Sequence, residues 1–189
     1  MSIKDKNKWN KKYTENPKLI EKREPSFFVK KYATATNGVD VLDLACGVGR
    51  NALFLEELGF RVDAVDISIK ALEILKSRSK GLINIIEADL DDFKPTKSYD
   101  LIIKCNFLDR ELINKTKDAL NSGGVYIVET YIEDKDNEKK DSNPNFLLKK
   151  DELLNIFKDG FKILEYKTFW NDSSEIYKMR KAAIVAYKL

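Results

Sequence analysis

The sequence contains no histidine among its 189 residues. That absence excludes Ser-His-Asp and Cys-His catalysis, a histidine general base, and every zinc site that needs an imidazole ligand. The two cysteines, Cys46 and Cys105, are too few for a disulfide framework or a four-thiolate metal site. We therefore expect no bound metal, and the free thiols favour a reducing compartment, the cytoplasm.

Long apolar runs are also missing. No stretch approaches the roughly 18 apolar residues of a membrane-spanning helix, and the opening MSIKDKNKWNKKY has no apolar core of a secretory signal. The 34 basic and 31 acidic residues nearly cancel to a net charge of +3, which argues against a dedicated nucleic-acid binder. With 43% apolar residues the chain has enough material for an ordinary core. We expect a globular protein that binds neither membrane nor nucleic acid.

Short apolar runs that alternate with helical segments predict an α/β fold. Strands are predicted over 39–44, 61–65, 83–87, 101–105, 125–131, 161–169 and 182–188. Helices are predicted over 49–58, 69–78, 108–120 and 150–157. The third of these ends before Ser122-Gly123-Gly124, which stops a helix. This order favours a Rossmann-like, mostly parallel seven-stranded sheet with helices on both faces. The last two strands have no helical segment between them, so they predict an antiparallel hairpin at the C-terminal edge.

The N-terminal region lies outside this alternation. Residues 3–15 are polar with two spaced aromatics, Trp9 and Tyr13, and predict a short amphipathic helix. Ser26 follows a proline and is a candidate N-cap of a second helix. We interpret residues 1–36 as a helical cap on the rest of the chain.

A glycine-rich turn follows the first predicted strand. Gly47 and Gly49 allow positive φ and a close approach of backbone to ligand, and the helix that begins after them offers free N–H groups to an anion. The spacing Gly47-x-Gly49-x-x-Ala52 also matches the dinucleotide fingerprint, so a nicotinamide-linked oxidoreductase is one alternative. Asp66, at the end of the second strand, suits ribose hydroxyls in either case. A tight strand-to-helix turn without a ligand is the other alternative.

Five short motifs in order resemble those of class I S-adenosylmethionine (SAM)-dependent methyltransferases. They lie at 43–51, 65–68, 87–90, 98–103 and 120–125, and the match covers about residues 39–131. Arg50-Asn51 after the turn, together with Trp9 and Tyr13 near the N-terminus, resembles the small tellurite-resistance and thiopurine-type branch. The resemblance implies SAM as the cofactor, methyl transfer as the activity and one methyltransferase domain over 1–189, with a SAM-binding core of 37–189.

The resemblance also implies a set of cofactor-binding residues. Asp66 would hold both ribose hydroxyls, and Asp89 would read the adenine amino group. The full set is Asp43, Ala45, Gly47, Gly49, Arg50, Asp66, Ile67, Asp89, Leu90, Cys105 and Asn106. Each carboxylate has a structural alternative: Asp43 orients the turn, Asp66 caps the following helix, or Asp89 is a solvated member of an acidic run.

A small-molecule acceptor is predicted, because additions to the fold are confined to the N-terminal helices and the loop 133–149. The branch implies a soft nucleophile such as a thiol or a chalcogen oxyanion. Candidate acceptor-site residues are Trp9, Tyr13, Arg23, Arg110 and Tyr131, with Phe107 and Asp109 also after the fourth strand. The charged loop is interpreted as solvated, with a mobile lid as the alternative.

Methyl transfer depends mainly on orientation, so the lack of histidine is compatible with it. For the same reason no residue is indispensable to the chemistry, and a non-catalytic SAM-binding protein of the same fold is a further alternative.

Overall fold

The computed structural model describes residues 3–171, 175 and 177–189, which contain seven strands in one sheet. The strands are β1 (Asp40–Leu44), β2 (Arg61–Asp66), β3 (Ile83–Glu87), β4 (Tyr99–Cys105), β5 (Leu120–Tyr131), β6 (Phe161–Trp170) and β7 (Arg180–Lys188). Their order across the sheet is β3-β2-β1-β4-β5-β7-β6. Strands β1 to β5 are parallel, whereas β7 is antiparallel to both β5 and β6. The predicted mostly parallel sheet with an antiparallel C-terminal edge is confirmed.

Helices occupy the connections on both sides of this sheet. Within the described residues they are α1 (Ile3–Glu15), α2 (Pro17–Ile20), α3 (Phe27–Tyr32), α4 (Arg50–Glu57), α5 (Ile69–Arg78), α6 (Arg110–Lys117) and α7 (Glu152–Ile156). Ser26 is the N-cap residue of α3, as predicted, and Ser68 is the N-cap residue of α5; their side chains accept hydrogen bonds from backbone N–H groups of the first turn. None of these helices has the length and apolarity needed to cross a membrane.

The two-residue period of the central strands divides the core into two clusters. Val41 of β1 and Leu101 of β4 pack on one face with side chains from α3, α4 and α5. Leu42 and Ile102, one residue further along each strand, pack on the other face with side chains from α6 and α7. Helices therefore cover both faces of the sheet, as the alternating pattern predicts.

The predicted helix over 108–120 is wrong at its end. Helix α6 ends at Lys117, and β5 begins at Leu120, which is paired with Tyr99 of β4. Leu120 is buried in the same cluster as Leu112 and Ile113 of α6. It therefore continues the apolar period of the helix although it already belongs to the next strand.

Helix α1 confirms the predicted helix over 3–15, yet none of its residues is buried. Its attachment is polar: Asn10 Oδ1 accepts hydrogen bonds from Ser68 Oγ (2.8 Å) and from the Lys70 N–H (3.3 Å). Lys6 also forms an ion pair with Glu87. These contacts place α1 across the start of α5, at the carboxyl edge of the sheet.

The C-terminal connections contain little regular structure. Between β5 and α7 the chain forms a short 3₁₀ turn (Pro144–Phe146) and an isolated bridge between Ile132 and Leu148. The prediction that no helix separates the last two strands falls partly on residues 172–174 and 176, which lie outside the described residues.

Candidate functional site

A cavity of about 300 Å³ lies at the carboxyl ends of β1, β2, β4 and β5. Open α/β sheets bind their ligands at this edge. The wall includes nine residues of the predicted cofactor-binding set: Asp43, Ala45, Gly47, Arg50, Asp66, Ile67, Leu90, Cys105 and Asn106. It also includes five of the predicted acceptor-site residues: Trp9, Tyr13, Arg23, Phe107 and Tyr131. The side formed by Asp43, Gly47, Arg50 and Asp66 is called the β1–β2 end below.

Two neighbouring strands leave the sheet through left-handed residues. Ala45 follows β1 with φ of 56°, and Asn106 follows β4 with φ of 59°. Residues other than glycine rarely adopt this conformation, and those that do cluster at ligand sites. At both positions the backbone turns sharply, and both residues lie in the cavity wall.

The two glycines of the turn are needed for different reasons. Both have positive φ, 57° at Gly47 and 80° at Gly49. A Cβ on Gly47 would lie 2.7 Å from the Tyr13 hydroxyl, so α1 can approach the turn only because this residue has no side chain. A Cβ on Gly49 would lie 2.2 Å from Leu75 Cδ1 of α5. Gly49 therefore permits close packing of α4 on α5, and it is not part of the cavity wall.

Asp66 connects the end of β2 to this turn. Its Oδ2 accepts a hydrogen bond from the Gly47 N–H (2.8 Å), and its Oδ1 accepts one from the Ser68 N–H (2.9 Å). Burial raises the pKa of Asp66, although these backbone bonds oppose the rise. Ser68, rather than Asp66, is the N-cap residue of α5. Each carboxylate oxygen retains a lone pair for a further donor in the cavity.

Asp43 and Arg50 carry buried polar atoms that the protein leaves unsatisfied. Among the described side chains, Asp43 Oδ2 and Arg50 Nη2 are the two buried atoms without a hydrogen-bond partner. The nearest acidic oxygen to Arg50 Nη2 is Glu129 Oε1, at 3.9 Å. Burial raises the pKa of Asp43 to about 7, against the opposing effect of the Arg50 charge. Because an unpaired buried polar atom is costly, this pair is suited to a ligand with groups of both charges.

A network of side chains forms the opposite side of the cavity, called the β5–β7 end below. The Tyr131 hydroxyl donates a hydrogen bond to Glu175 Oε2, and Lys181 Nζ donates one to Glu175 Oε1 (2.8 Å). Lys181 Nζ also lies 3.5 Å from Glu129 Oε1. Ser26 Oγ, from the N-cap of α3, donates to the other oxygen of Glu129. Tyr131 and Glu175 lie in the cavity wall, whereas the side chain of Lys181 is only 4% exposed.

The two thiols in the wall are protonated at neutral pH. Burial raises the pKa of Cys105 to about 12, and burial together with the nearby Asp43 also raises the pKa of Cys46. Since the thiolate is the reactive form, neither cysteine is placed as a nucleophile.

The structure does not bring Gly49, Asp89 or Arg110 into the cavity wall. Asp89 Oδ1 accepts a hydrogen bond from the Asp91 N–H, beside the buried wall residue Leu90. Arg110 binds both carboxylate oxygens of Glu152 and donates to backbone carbonyls of the 133–149 loop. Arg110 therefore connects that loop to α6 and α7, and we assign it no role in binding the acceptor.

The wall also contains residues that the sequence analysis does not name as part of a site, namely Leu19, Cys46, Val48, Asn51 and Glu175. Cys46, Val48 and Asn51 all lie within the motif at 43–51, so their position in that motif is a usable signal. Leu19 and Glu175 have no such signal.

Comparison with known proteins gives the family. The family model described as "Tellurite resistance protein TehB" matches residues 1–182. The chain belongs to this family. A probable S-adenosyl-L-methionine-dependent methyltransferase TehB from Haemophilus influenzae is 31% identical over 171 residues, which cover 76% of this chain and 57% of that protein. The chain thus spans little more than half the length of this TehB relative.

Solved structures show the same fold. The crystal structure of TehB from Haemophilus influenzae superposes with a TM-score of 0.76 at 24% identity, covering 97% of this chain and 67% of that chain. The glycopeptide N-methyltransferase MtfA, complexed with SAM, superposes with a TM-score of 0.62 at 17% identity, covering 88% of each chain. The predicted Rossmann-like methyltransferase fold and the predicted tellurite-resistance branch are confirmed.

Proposed function

We propose that this chain binds SAM in the cavity and transfers its methyl group to a small-molecule acceptor. The observation that carries the proposal is the pair of unsatisfied buried atoms, Asp43 Oδ2 and Arg50 Nη2, beside the cavity. The methionine part of SAM has a carboxylate for Arg50 and an ammonium for Asp43. Charge-assisted bonds of this kind satisfy atoms that the protein itself leaves without partners.

Asp66 and the neighbouring part of the wall suit the nucleoside part. Asp66 lies in the cavity wall with its carboxylate held by the Gly47 and Ser68 N–H groups, and it is assigned to the ribose hydroxyls. Ile67 and Leu90 supply apolar surface for the adenine ring. Ala45, Gly47, Cys105 and Asn106 lie where backbone and ligand would be in close contact. Asp89 is assigned to the adenine amino group through its position next to Leu90.

SAM supplies an already activated methyl group, so the chain's own residues need to orient the reactants and exclude water. Trp9 and Tyr13 of α1 lie in the wall, and Tyr13 lies against Gly47. We assign residues 1–36 as a cap over the core of residues 37–189. An aromatic face beside the cationic sulfonium would stabilise it by roughly 0.5–2 kcal/mol.

The proposed acceptor is small, either a thiol or a chalcogen oxyanion. The family description, with its reference to tellurite resistance, supports the oxyanion. Arg23 in the wall supplies positive charge, which opposes the rise in pKa that burial causes at Tyr13 and Tyr131. A thiol is supported by the same small cavity, since it fits without a binding platform for a macromolecule.

Product formation tests the proposal. The intact chain is incubated with SAM and, in separate reactions, with 2-mercaptoethanol, selenite or tellurite, and S-adenosylhomocysteine is measured by chromatography. We expect acceptor-dependent product. Its yield should fall at least tenfold in Asp66→Asn, because this variant loses a charge-assisted hydrogen bond to the ribose. SAM that binds without any product would favour the non-catalytic alternative. Protection from heat by NAD rather than SAM would favour the oxidoreductase.

A further inference from the structure

We propose that Glu175 is the group that receives the acceptor's proton, and that Lys181 and Tyr131 position its carboxylate. This inference rests on the proposed function, because it concerns the acceptor side of the same cavity. Glu175 is the one acidic side chain that the described part of the cavity wall contributes at the β5–β7 end.

The order of strands separates the residues that bind the cofactor from those that face the acceptor. From β2 through β1 and β4 to β5, the wall residues at successive strand ends are Asp66, Asp43, Cys105 and Tyr131. Neighbouring strands lie about 4.8 Å apart. With ribose at Asp66 and the methionine head at Asp43 and Arg50, the ends of β4 and β5 remain for the methyl group and its acceptor. Glu175 adjoins Tyr131 on the side of the cavity away from Asp66.

The carboxylate of Glu175 is held in a defined position. One oxygen accepts from Lys181 Nζ and the other from the Tyr131 hydroxyl, and the side chain lies in the cavity wall and is still 23% exposed. Burial alone would raise the pKa of Glu175, but the Lys181 charge and these hydrogen bonds outweigh it and hold the pKa below its ordinary value. Glu175 is therefore ionised at neutral pH and has the negative charge needed to accept a proton.

A weakly basic carboxylate is sufficient for this reaction. The acceptor atom gains positive charge as its bond to carbon forms, so any proton on it becomes strongly acidic. The acceptor's lone pair forms the new bond to the methyl carbon, the electron pair of the broken carbon–sulfur bond stays on sulfur, and the acceptor's proton goes to Glu175. Two other titratable wall residues near this end are unsuited: Tyr131 and Cys105 are protonated, since burial raises the pKa of each.

The inference narrows the substrate class. A fixed negative charge beside the transferred group favours an acceptor that carries a proton, such as a thiol, a selenol or an amine. A fully deprotonated oxyanion would be repelled at the same place. Of the two acceptors proposed above, the thiol is the better match to Glu175.

A binding experiment tests the placement of Glu175 without knowledge of the acceptor. In sinefungin a carbon replaces the sulfur of SAM and an amine replaces the methyl group, whereas S-adenosylhomocysteine keeps a neutral sulfur and has no substituent in place of the methyl group. Affinities of both compounds are measured by calorimetry for the intact chain and for Glu175→Gln. We expect the preference for sinefungin to fall about tenfold in the variant, equivalent to about 1.4 kcal/mol, while the affinity for S-adenosylhomocysteine stays unchanged.

Glu138→Gln is the matched control. Glu138 accepts a hydrogen bond from the Lys178 N–H and so supports the same connection, but it is not part of this cavity wall. Its preference for sinefungin should equal that of the unmodified chain. Glu175→Asp retains the charge opposite Lys181 and replaces Glu175→Gln in the experiment if that variant does not fold. Because its shorter side chain moves the carboxylate away from the ligand, the preference for sinefungin should fall about threefold.

The outcomes separate the two proposals. If both compounds bind and the folded Glu175 variants keep the preference for sinefungin, Glu175 does not face the transferred group and the inference is overturned. If the unmodified chain binds neither compound, the proposed binding of SAM is contradicted, and the role of Glu175 is contradicted with it.

Discussion

The two ends of the cavity are built from different parts of the chain. At the β1–β2 end, the four defining residues Asp43, Gly47, Arg50 and Asp66 lie within 24 consecutive positions of the chain, 43–66, and the carboxylate of Asp66 is bonded to backbone N–H groups. At the β5–β7 end, Ser26, Glu129, Glu175 and Lys181 are far apart in sequence and are connected through side-chain charges. The first end depends on backbone conformation and the second on charge balance. Mutations at the β1–β2 end should therefore reduce ligand affinity, whereas mutations at the β5–β7 end should reduce stability.

The largest expected effect is the loss of stability in Lys181→Met. The lysine lies between Glu129 and Glu175 and is almost fully buried, so its removal leaves two carboxylates with reduced compensation. Breaking a buried ion pair from one side costs about 3–5 kcal/mol. Urea denaturation should show this loss. Lys31→Met, which removes a solvent-exposed ion pair with Glu165, should cost far less, and equal losses in the two variants would contradict the charge-balance account.

Gly47→Val should instead reduce the affinity for SAM. The residue has φ of 57°, and a Cβ there would lie 2.7 Å from the Tyr13 hydroxyl. We expect SAM affinity to fall by at least about 100-fold, or about 2.7 kcal/mol, in calorimetric titration. Gly59→Val is the control, because Gly59 also has positive φ, at 87°, but a Cβ there has no neighbour within 4 Å. Normal SAM affinity in folded Gly47→Val protein would remove the turn from the site.

Asp66→Asn should have a smaller effect on the same end. The substitution removes the negative charge offered to ribose hydroxyls while leaving an oxygen for one backbone N–H. We expect SAM affinity to fall about 10- to 100-fold, since hydrogen bonds to charged groups contribute about 1.5–3 kcal/mol. Asp63→Asn, on the same strand but bonded to Tyr99 and Asn84, should change stability and leave affinity intact. A SAM affinity that Asp66→Asn leaves untouched would exclude the ribose assignment.

Deletion of residues 1–24 should weaken binding more modestly. Helix α1 has no buried residue, so the sheet is expected to remain folded by circular dichroism. The deletion removes Trp9, Tyr13 and Arg23 from the wall, and SAM affinity should fall about 3- to 30-fold with the loss of a cation–π contact of roughly 0.5–2 kcal/mol. Reduced stability with unchanged affinity per folded molecule would identify the segment as a packing element instead of a cap.

The smallest expected effect is a pH dependence set by Asp43. Burial raises its pKa to about 7 from an ordinary value of 3.8, so the folded chain binds this proton more tightly than the unfolded chain. The contribution of Asp43 to stability therefore falls as the pH rises from about 4 to about 7. A ligand ammonium at Asp43 favours the ionised form, so SAM binding at about pH 6 should release close to one proton. Titration in buffers of different ionisation enthalpy measures this, and Asp43→Asn should abolish the release. Binding without proton release would show that the ammonium lies elsewhere.

The same contrast explains what the sequence could predict. The β1–β2 end is specified by consecutive residues, since a glycine turn after one strand and an acidic residue at the end of the next identify it locally. The strand order follows from the alternation of strands and helices. Cys46, Val48 and Asn51 belong to the same motif, but they are neither glycines nor charged residues, so residue type alone does not mark them as ligand-binding.

The β5–β7 end could not be predicted in this way. Glu175 lies in a connection with no apolar period, and its role depends on Lys181 and Tyr131, which reach it through the antiparallel pairing of β5 with β7. Arg110 lies outside the wall for a related reason: a charge near the end of β4 suits a ligand, but the guanidinium is paired with Glu152 of α7. Leu120 continued the helical period of α6 because strand and helix share one apolar cluster.

A crystal structure with S-adenosylhomocysteine tests the central claim most directly. The account predicts the ligand's carboxylate at Arg50 Nη2 and its ammonium at Asp43 Oδ2, each about 3 Å away, with the ribose hydroxyls at Asp66 and the sulfur directed toward Tyr131 and Glu175. A ligand bound outside this cavity, or in the reverse direction with its adenine at Arg50, would contradict the account.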